Sequence, residues 1–175
     1  MTADDVSDVL DVQEPGAVLG LSGVFPEDAF PFPRERVTQR WLAEIDTPGI
    51  DCFVVLLDEA VVGFVAVRRE EFLHFGIAVE HWGTGIAQIA HDAVVDHMRS
   101  RGVRRAWLTV FTENGRGRRF YEKLGWTPTG ERTRSSFPPQ PELLHYERIL
   151  EREDSPKAVA AGLGIQTRRG HPELP

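Results

Sequence analysis

The chain has 175 residues, 41% hydrophobic and 27% charged, which suits one soluble globular domain burying roughly two thirds of its unfolded surface and leaves no length for a second. No apolar run approaches the ~20 residues of a membrane-spanning helix, and the start carries Asp4, Asp5 and Asp8 rather than a basic-then-apolar leader, so no membrane partner and a cytoplasmic location are expected. The formal charge of -7 works against nucleic acid, while Arg116, Arg118 and Arg119 remain available to a small anion.

The first fifty residues read as helix and loop: an amphipathic opening with Val6, Val9 and Leu10, a proline-rich bend FPEDAFPFP, then a helix from Arg34 to Ile45 with Val37, Trp41 and Ile45 on one face. The helical pattern starts almost at Asp4, so no sheet strand is expected before Val6. From Cys52 the texture becomes strand-like: CFVVLL and VVGFVAV are separated by Asp58, Glu59 and Ala60 as a hairpin, and FLHFGIAV supplies a third strand. Cys52 is the only cysteine; inside an apolar run it reads as a buried spectator rather than a nucleophile.

Ile86, Ile89, Ala90, Ala93, Val94 and Met98 then recur at helical spacing, with Gly102 as the stop. VRRAWLTVF follows as a buried strand, GRGRRFYEKLG as a shorter helix, and WTPTG and LLHYERIL as the closing strands. The strand–helix–strand unit requires a parallel pair and the hairpins give antiparallel neighbours, so the fold class is α/β (α+β) with a mixed, mostly antiparallel sheet flanked by helices. Residues 1–150 form the single domain, and 151–175 read as a polar, flexible tail.

The junction EHWGTGIAQIA sets Gly83 and Gly85 around Thr84 just before a helix begins. Free N–H groups at a helix start and the positive end of its dipole suit an anion, and glycine lets a phosphate approach closely. A dinucleotide fingerprint would need glycine or alanine at Gln88, and a triphosphate-binding loop would need Gly-Lys-Ser/Thr, which is absent. His91 and His97, six apart on one helix, cannot close on one ion, and no metal is expected.

Trp82, Gly83, Thr84, Gly85, Ile86 and Ala87 resemble the acyl-CoA loop Q/R-x-x-G-x-G/A of the GNAT N-acetyltransferases, with Trp82 in the Q/R place. Downstream, TENGRGRRFYEKLGW is similar to that family's later motif. The resemblance implies acetyl-CoA (coenzyme A) as cosubstrate on residues 82–87, a cofactor contact from Asn114, and a splayed parallel strand pair whose backbone at Phe75 and Ile77 pairs with pantetheine amides. It also implies Tyr121 as the general acid for the leaving thiolate.

The attacking amine has a pKa near ~10.4, so something must take its proton. Glu71 resembles the catalytic glutamate of some protein-acetylating members, and His74 titrates near neutrality. Strict strand alternation puts His74 on the face opposite Glu71, Phe75 and Ile77, so only one of the pair would meet the substrate. Thr109 stands where some peptide-acetylating members carry a glutamate. The expected activity is N-acetylation of a small-molecule primary amine by direct attack in a ternary complex, with the homodimer question open. The alternatives are a peptide or protein N-acetyltransferase, or a non-catalytic acyl-CoA-binding module. Substrate contacts are expected from residues 25–33 and from the loop SSFPPQP.

Overall fold

The computed structural model describes residues 1–150 and a strand at 163–166; the remainder of the segment read as a tail lies outside the described residues. The element order is a short 3-10 turn, α1 (Val6–Gly20), α2 (Arg34–Ile45), β1 (Ile50–Leu57), β2 (Ala60–Arg68), β3 (Glu71–Ile77), α3 (Ile86–Ser100), β4 (Arg105–Phe111), α4 (Gly115–Lys123), β5 (Thr127–Arg134), β6 (Glu142–Ile149) and β7 (Leu163–Gln166). Among the described residues no strand precedes β1, in agreement with the helical start read from the sequence.

The strands form one sheet in the order β5-β6-β4-β3-β2-β1-β7. Every pairing is antiparallel except β3 with β4, which is parallel. β1 and β2 turn back on each other through Asp58 (φ 48°) and Glu59 (φ 68°), two consecutive left-handed residues. That is the backbone twist a two-residue hairpin needs. β7 adds to the outer edge of β1, pairing Val54 with Gln166 and Leu57 with Leu163.

Both faces of β1 and β2 are covered, which explains their unbroken apolar runs. Phe53, Val55, Val65 and Val67 join the cluster beneath α3, with Val94 and Met98. Cys52, Val54, Phe64 and Ala66 join the other, with Val9 of α1 and Trp41 of α2. Burial first, then nearby carboxylates, push the Cys52 thiol up to about 12, so at neutral pH it holds its proton and is no nucleophile. Trp41 ties the two N-terminal helices together by donating from Nε1 to Gln13 Oε1 at 2.8 Å.

β3 departs from simple alternation. Its register with β2 pairs Ala66 with His74 and Val67 with Phe72, leaving Leu73 as the extra residue of a β-bulge. Phe72, Phe75 and Ile77 therefore share the α3 face. Leu73 packs with the α1/α2 cluster, and His74, opposite Ala66, reaches α2. Glu71, opposite Arg68, precedes Phe72 and by alternation lands on that same α1/α2 face. The sequence expectation that Glu71 and His74 would oppose each other is thus corrected: the inserted Leu73 brings them to one side.

Candidate active site

β3 and β4 meet at a single registered pair, Glu71 with Trp107, supported by Trp107 N–H donating to the Glu70 carbonyl at 3.0 Å. Beyond it the strands diverge. The β4-facing edge of β3 and the β3-facing edge of β4 carry no registered partners there, an opening through the sheet with unpaired backbone on both banks.

The glycine-rich turn stands at one side of this opening. Gly83 (φ 82°) and Gly85 (φ 93°) are left-handed, and Gly85 is the N-cap of α3 with no side chain capping the helix. The first-turn amides of Ile86 and Ala87 thus face outward without internal partners. A Cβ built on Gly83 or Gly85 meets nothing within 4 Å, so the approach is open, and the residues fit a pyrophosphate. The Thr84 hydroxyl instead donates to the His81 carbonyl at 2.7 Å.

Trp82, the departure from the loop pattern, has a structural role. Its Nε1 donates to the Ile77 carbonyl at 2.9 Å, and the Arg116 guanidinium lies over its ring at 3.3 Å from the centroid. The Ile77 carbonyl, one of the two positions assigned to pantetheine, already has a partner. At Phe75 the side chain is occupied in a stack with Phe120 at 5.8 Å between centroids.

α4 brings the later motif to the α3 face. Asn114 is its N-cap, with Oδ1 accepting from Gly117 N–H at 2.8 Å. A Cβ at Gly117 would meet Asn114 Nδ2 at 2.6 Å, so glycine there is what lets the cap fold over. Tyr121 sits among Phe72, His91, Phe120 and Trp126. Burial alone pushes its phenol up, so it carries its proton throughout the physiological range.

The two base candidates lie across the sheet from Tyr121 and differ in their engagements. Glu71 is buried and gripped by Arg68 through Nε at 2.8 Å and through Nη2. His74 Nε2 lies 3.0 Å from Glu44 Oε1 and 2.9 Å from Oε2. Burial pushes the imidazole down, with the Glu44 hydrogen bond opposing, so His74 is neutral at pH 7. A neutral ring that donates from Nε2 to a carboxylate keeps a lone pair on Nδ1. Such an imidazole can take a proton, and Glu44 would steady the cation formed.

His91 and His97 have other duties. His91 Nε2 accepts from Trp126 Nε1 at 2.9 Å and its Nδ1 faces Asp92 Oδ1 at 2.9 Å, while His97 Nε2 pairs with Asp51 Oδ2 at 2.9 Å.

On the α1/α2 side a cavity of about 360 Å³ is lined by residues of α1, the 21–33 connection, α2, Phe111 at the end of β4 and the 137–138 corner. It joins both segments expected to contact substrate. Arg36, Arg40 and Glu44 were not singled out from the sequence. Glu44, seven residues after Val37 and three after Trp41, is a charge on the apolar stripe of α2, and that is the signal that could have found it.

The acetyltransferase (GNAT) family profile matches residues 17–126. YycN of Bacillus subtilis (strain 168), an uncharacterized N-acetyltransferase, is 29% identical over 113 residues, covering 59% of this chain and 72% of that protein. Among solved structures, the PaiA N-acetyltransferase of Thermoplasma acidophilum in complex with coenzyme A aligns with a TM-score of 0.65 at 16% identity, over 83% of this chain and 94% of that one. A ribosomal-protein-alanine N-acetyltransferase from Brucella melitensis aligns with a TM-score of 0.64 at 17% identity, over 85% and 96%.

Proposed function

The chain belongs to the acetyltransferase (GNAT) family, an acetyl-CoA-dependent acyltransferase, and on that premise we propose that it acetylates the primary amine of a small molecule by direct attack in a ternary complex. The observation that carries this reading is the divergence of β3 from β4 after the Glu71–Trp107 pair, with the uncapped start of α3 on one side and a cavity of about 360 Å³ on the other. A ligand entering from each side meets the other at the opening. The cavity suits a small acceptor, since pockets for such ligands run from ~300 to 1,000 Å³.

Acetyl-CoA supplies an acetyl group activated as a thioester. The amides of Ile86 and Ala87 hold the pyrophosphate at the helix start, and Gly83 and Gly85 let it approach. The unpaired edge of β3 around Phe75 offers main-chain groups to pantetheine in the manner of an added strand. The ammonium sheds two protons in becoming an amide, one before attack and one after it, and the departing sulfur takes one up. His74 takes the first from the ammonium at Nδ1, directly or through water, with Glu44 holding the ring. Glu71, engaged by Arg68, is the weaker claimant. Tyr121, on the opposite face and protonated, gives a proton to the departing sulfur and regains one from solvent as the second proton leaves the nitrogen.

The test is release of CoA from acetyl-CoA across a panel of small amines, aminoglycoside-type antibiotics and N-terminal peptides. Turnover with small amines is expected. Turnover confined to peptides moves the enzyme to the peptide class, and tight acetyl-CoA binding with no turnover on any amine identifies a non-catalytic module.

A further inference from the structure

The cavity on the α1/α2 side is walled mainly by apolar side chains, including Phe25, Phe30, Phe32, Phe111 and Phe137. Two cations stand in this wall, Arg36 and Arg40, against one acid, Glu27. Phe137 lies over both, 4.3 Å from Arg36 and 5.9 Å from Arg40. The Arg40 guanidinium is unusual within the wall: its Nε and Nη2 are closed off from water and make no hydrogen bond. Glu44 Oε1 forms an ion pair with Nε at 4.0 Å, beyond hydrogen-bond reach, and also meets His74.

The Arg40 side chain is partly exposed and ion-paired with Glu44, yet the two occluded N–H donors remain empty, which is costly unless an acceptor reaches them. Nε and Nη2 form one edge of the planar guanidinium, the edge that takes both oxygens of a carboxylate side by side. Even with its basicity lowered by burial, arginine stays charged at neutral pH. An acceptor that is only a cation would meet two guanidinium groups and a single acid. An acceptor that is only apolar would leave the Arg40 edge unfilled.

Resting on the acetyltransferase reading, we propose that the acceptor is an amine that also carries a carboxylate on an apolar body, a free apolar or aromatic amino acid or its close derivative, with Arg40 holding the carboxylate after Phe137 gives way. The ring then lies among the phenylalanines, and the amine is left to reach towards the β3–β4 opening. Arg40 here is a binding residue that fixes specificity and takes no part in proton transfer.

The experiment compares L-phenylalanine and L-leucine with L-phenylalanine methyl ester and phenethylamine in the CoA-release assay, on the full chain. The free acids should exceed the ester and the amine in kcat/KM by ~10², the discrimination expected of a charge-assisted bidentate contact. Arg40→Gln should erase that preference mainly through KM, and Arg40→Lys should keep part of it. Equal or better turnover of the ester or of phenethylamine overturns the carboxylate while leaving the acetyltransferase reading intact. In parallel, N-acetyl-L-phenylalanine and its amide are titrated calorimetrically into the CoA-bound protein. If no amine is turned over yet the acid binds and Arg40→Gln abolishes the binding, the carboxylate contact at Arg40 stands while the acetyl-transfer reading, and with it the acceptor role, falls. If the acid neither turns over nor binds, the inference is wrong. Should Arg40→Gln fail to fold, the acid-against-ester comparison on the unaltered chain still decides.

Discussion

The indole Nε1 of Trp82 donates to the carbonyl of Ile77 across 2.9 Å, fastening the glycine-rich turn to the last residue of β3. The residue that departs from the family's loop pattern is a brace for the turn. Trp82→Phe should therefore cost about 1 kcal/mol of stability, the worth of one hydrogen bond, measured by urea unfolding. CoA affinity should fall by less than ~10-fold, because the pyrophosphate contacts proposed above are main-chain amides.

Gly85 has φ 93° with open space where a Cβ would go. The cost of Gly85→Val is then conformational strain of ~1–3 kcal/mol at a left-handed position rather than a clash. The turn should relax by moving its amides, and the dissociation constant for CoA should rise by ~10-fold or more in calorimetry. Unchanged affinity would remove the cofactor from this turn.

Tyr121→Phe keeps the ring among Phe72, Phe120 and Trp126 and deletes the hydroxyl. Thermal stability and acetyl-CoA affinity should hold while turnover falls by ~10², as when a positioned acid is lost. Full turnover at a pH where chemistry limits the rate would assign the proton to water; unfolding would make the tyrosine a core residue.

For the base, His74→Gln should cut kcat/KM far more than Glu71→Gln. The pH profile carries the sign. Burial lowers the His74 pKa, so the active, unprotonated ring persists below the usual ~6.5 of imidazole and the rate plateau should extend to lower pH than a free histidine allows. A larger loss in Glu71→Gln would return the role to the carboxylate.

Stability should also fall in acid. His74 and His91 both have pKa values lowered by burial in the folded chain, so the unfolded chain binds protons more readily below ~6.5. Their contribution is fully present above that pH and is lost as pH falls through the folded values. Charging His91 also removes the lone pair that accepts the Trp126 N–H. Urea midpoints at pH 7.5 and pH 5 should show the loss, and a His91→Gln chain should show less of it.

The strand and helix order through β6, the bounds of α2 and the uncapped glycine start of α3 were legible because each is written locally, in hydrophobic period or in glycine placement, whereas β7 falls in the segment read as a tail. The bulge was not, since EFLHFGI carries no residue that marks Leu73 as extra. Nor were the partners of the polar groups. Arg68 gripping Glu71 and Glu44 meeting His74 thirty residues away are set by how α2 and β2 pack, which no window of sequence reports. The open edge of Arg40 is of the same kind: its meaning depends on what does not reach it.

The bulge at Leu73 also bears on how this strand tolerates change in length. Because Leu73 is the supernumerary residue, its removal leaves Glu71, Phe72, His74, Phe75, Gly76 and Ile77 in strict two-residue alternation, with every one of them on the side it already occupies. Loss of His74 would keep the same sorting, since it shares a face with Leu73, whereas a deletion at another interior position would exchange the two faces over part of the strand. Among relatives, then, a β3 shorter by one residue keeps its two faces sorted when the gap falls at Leu73 or His74, and an alignment that places the gap at another interior position exchanges them.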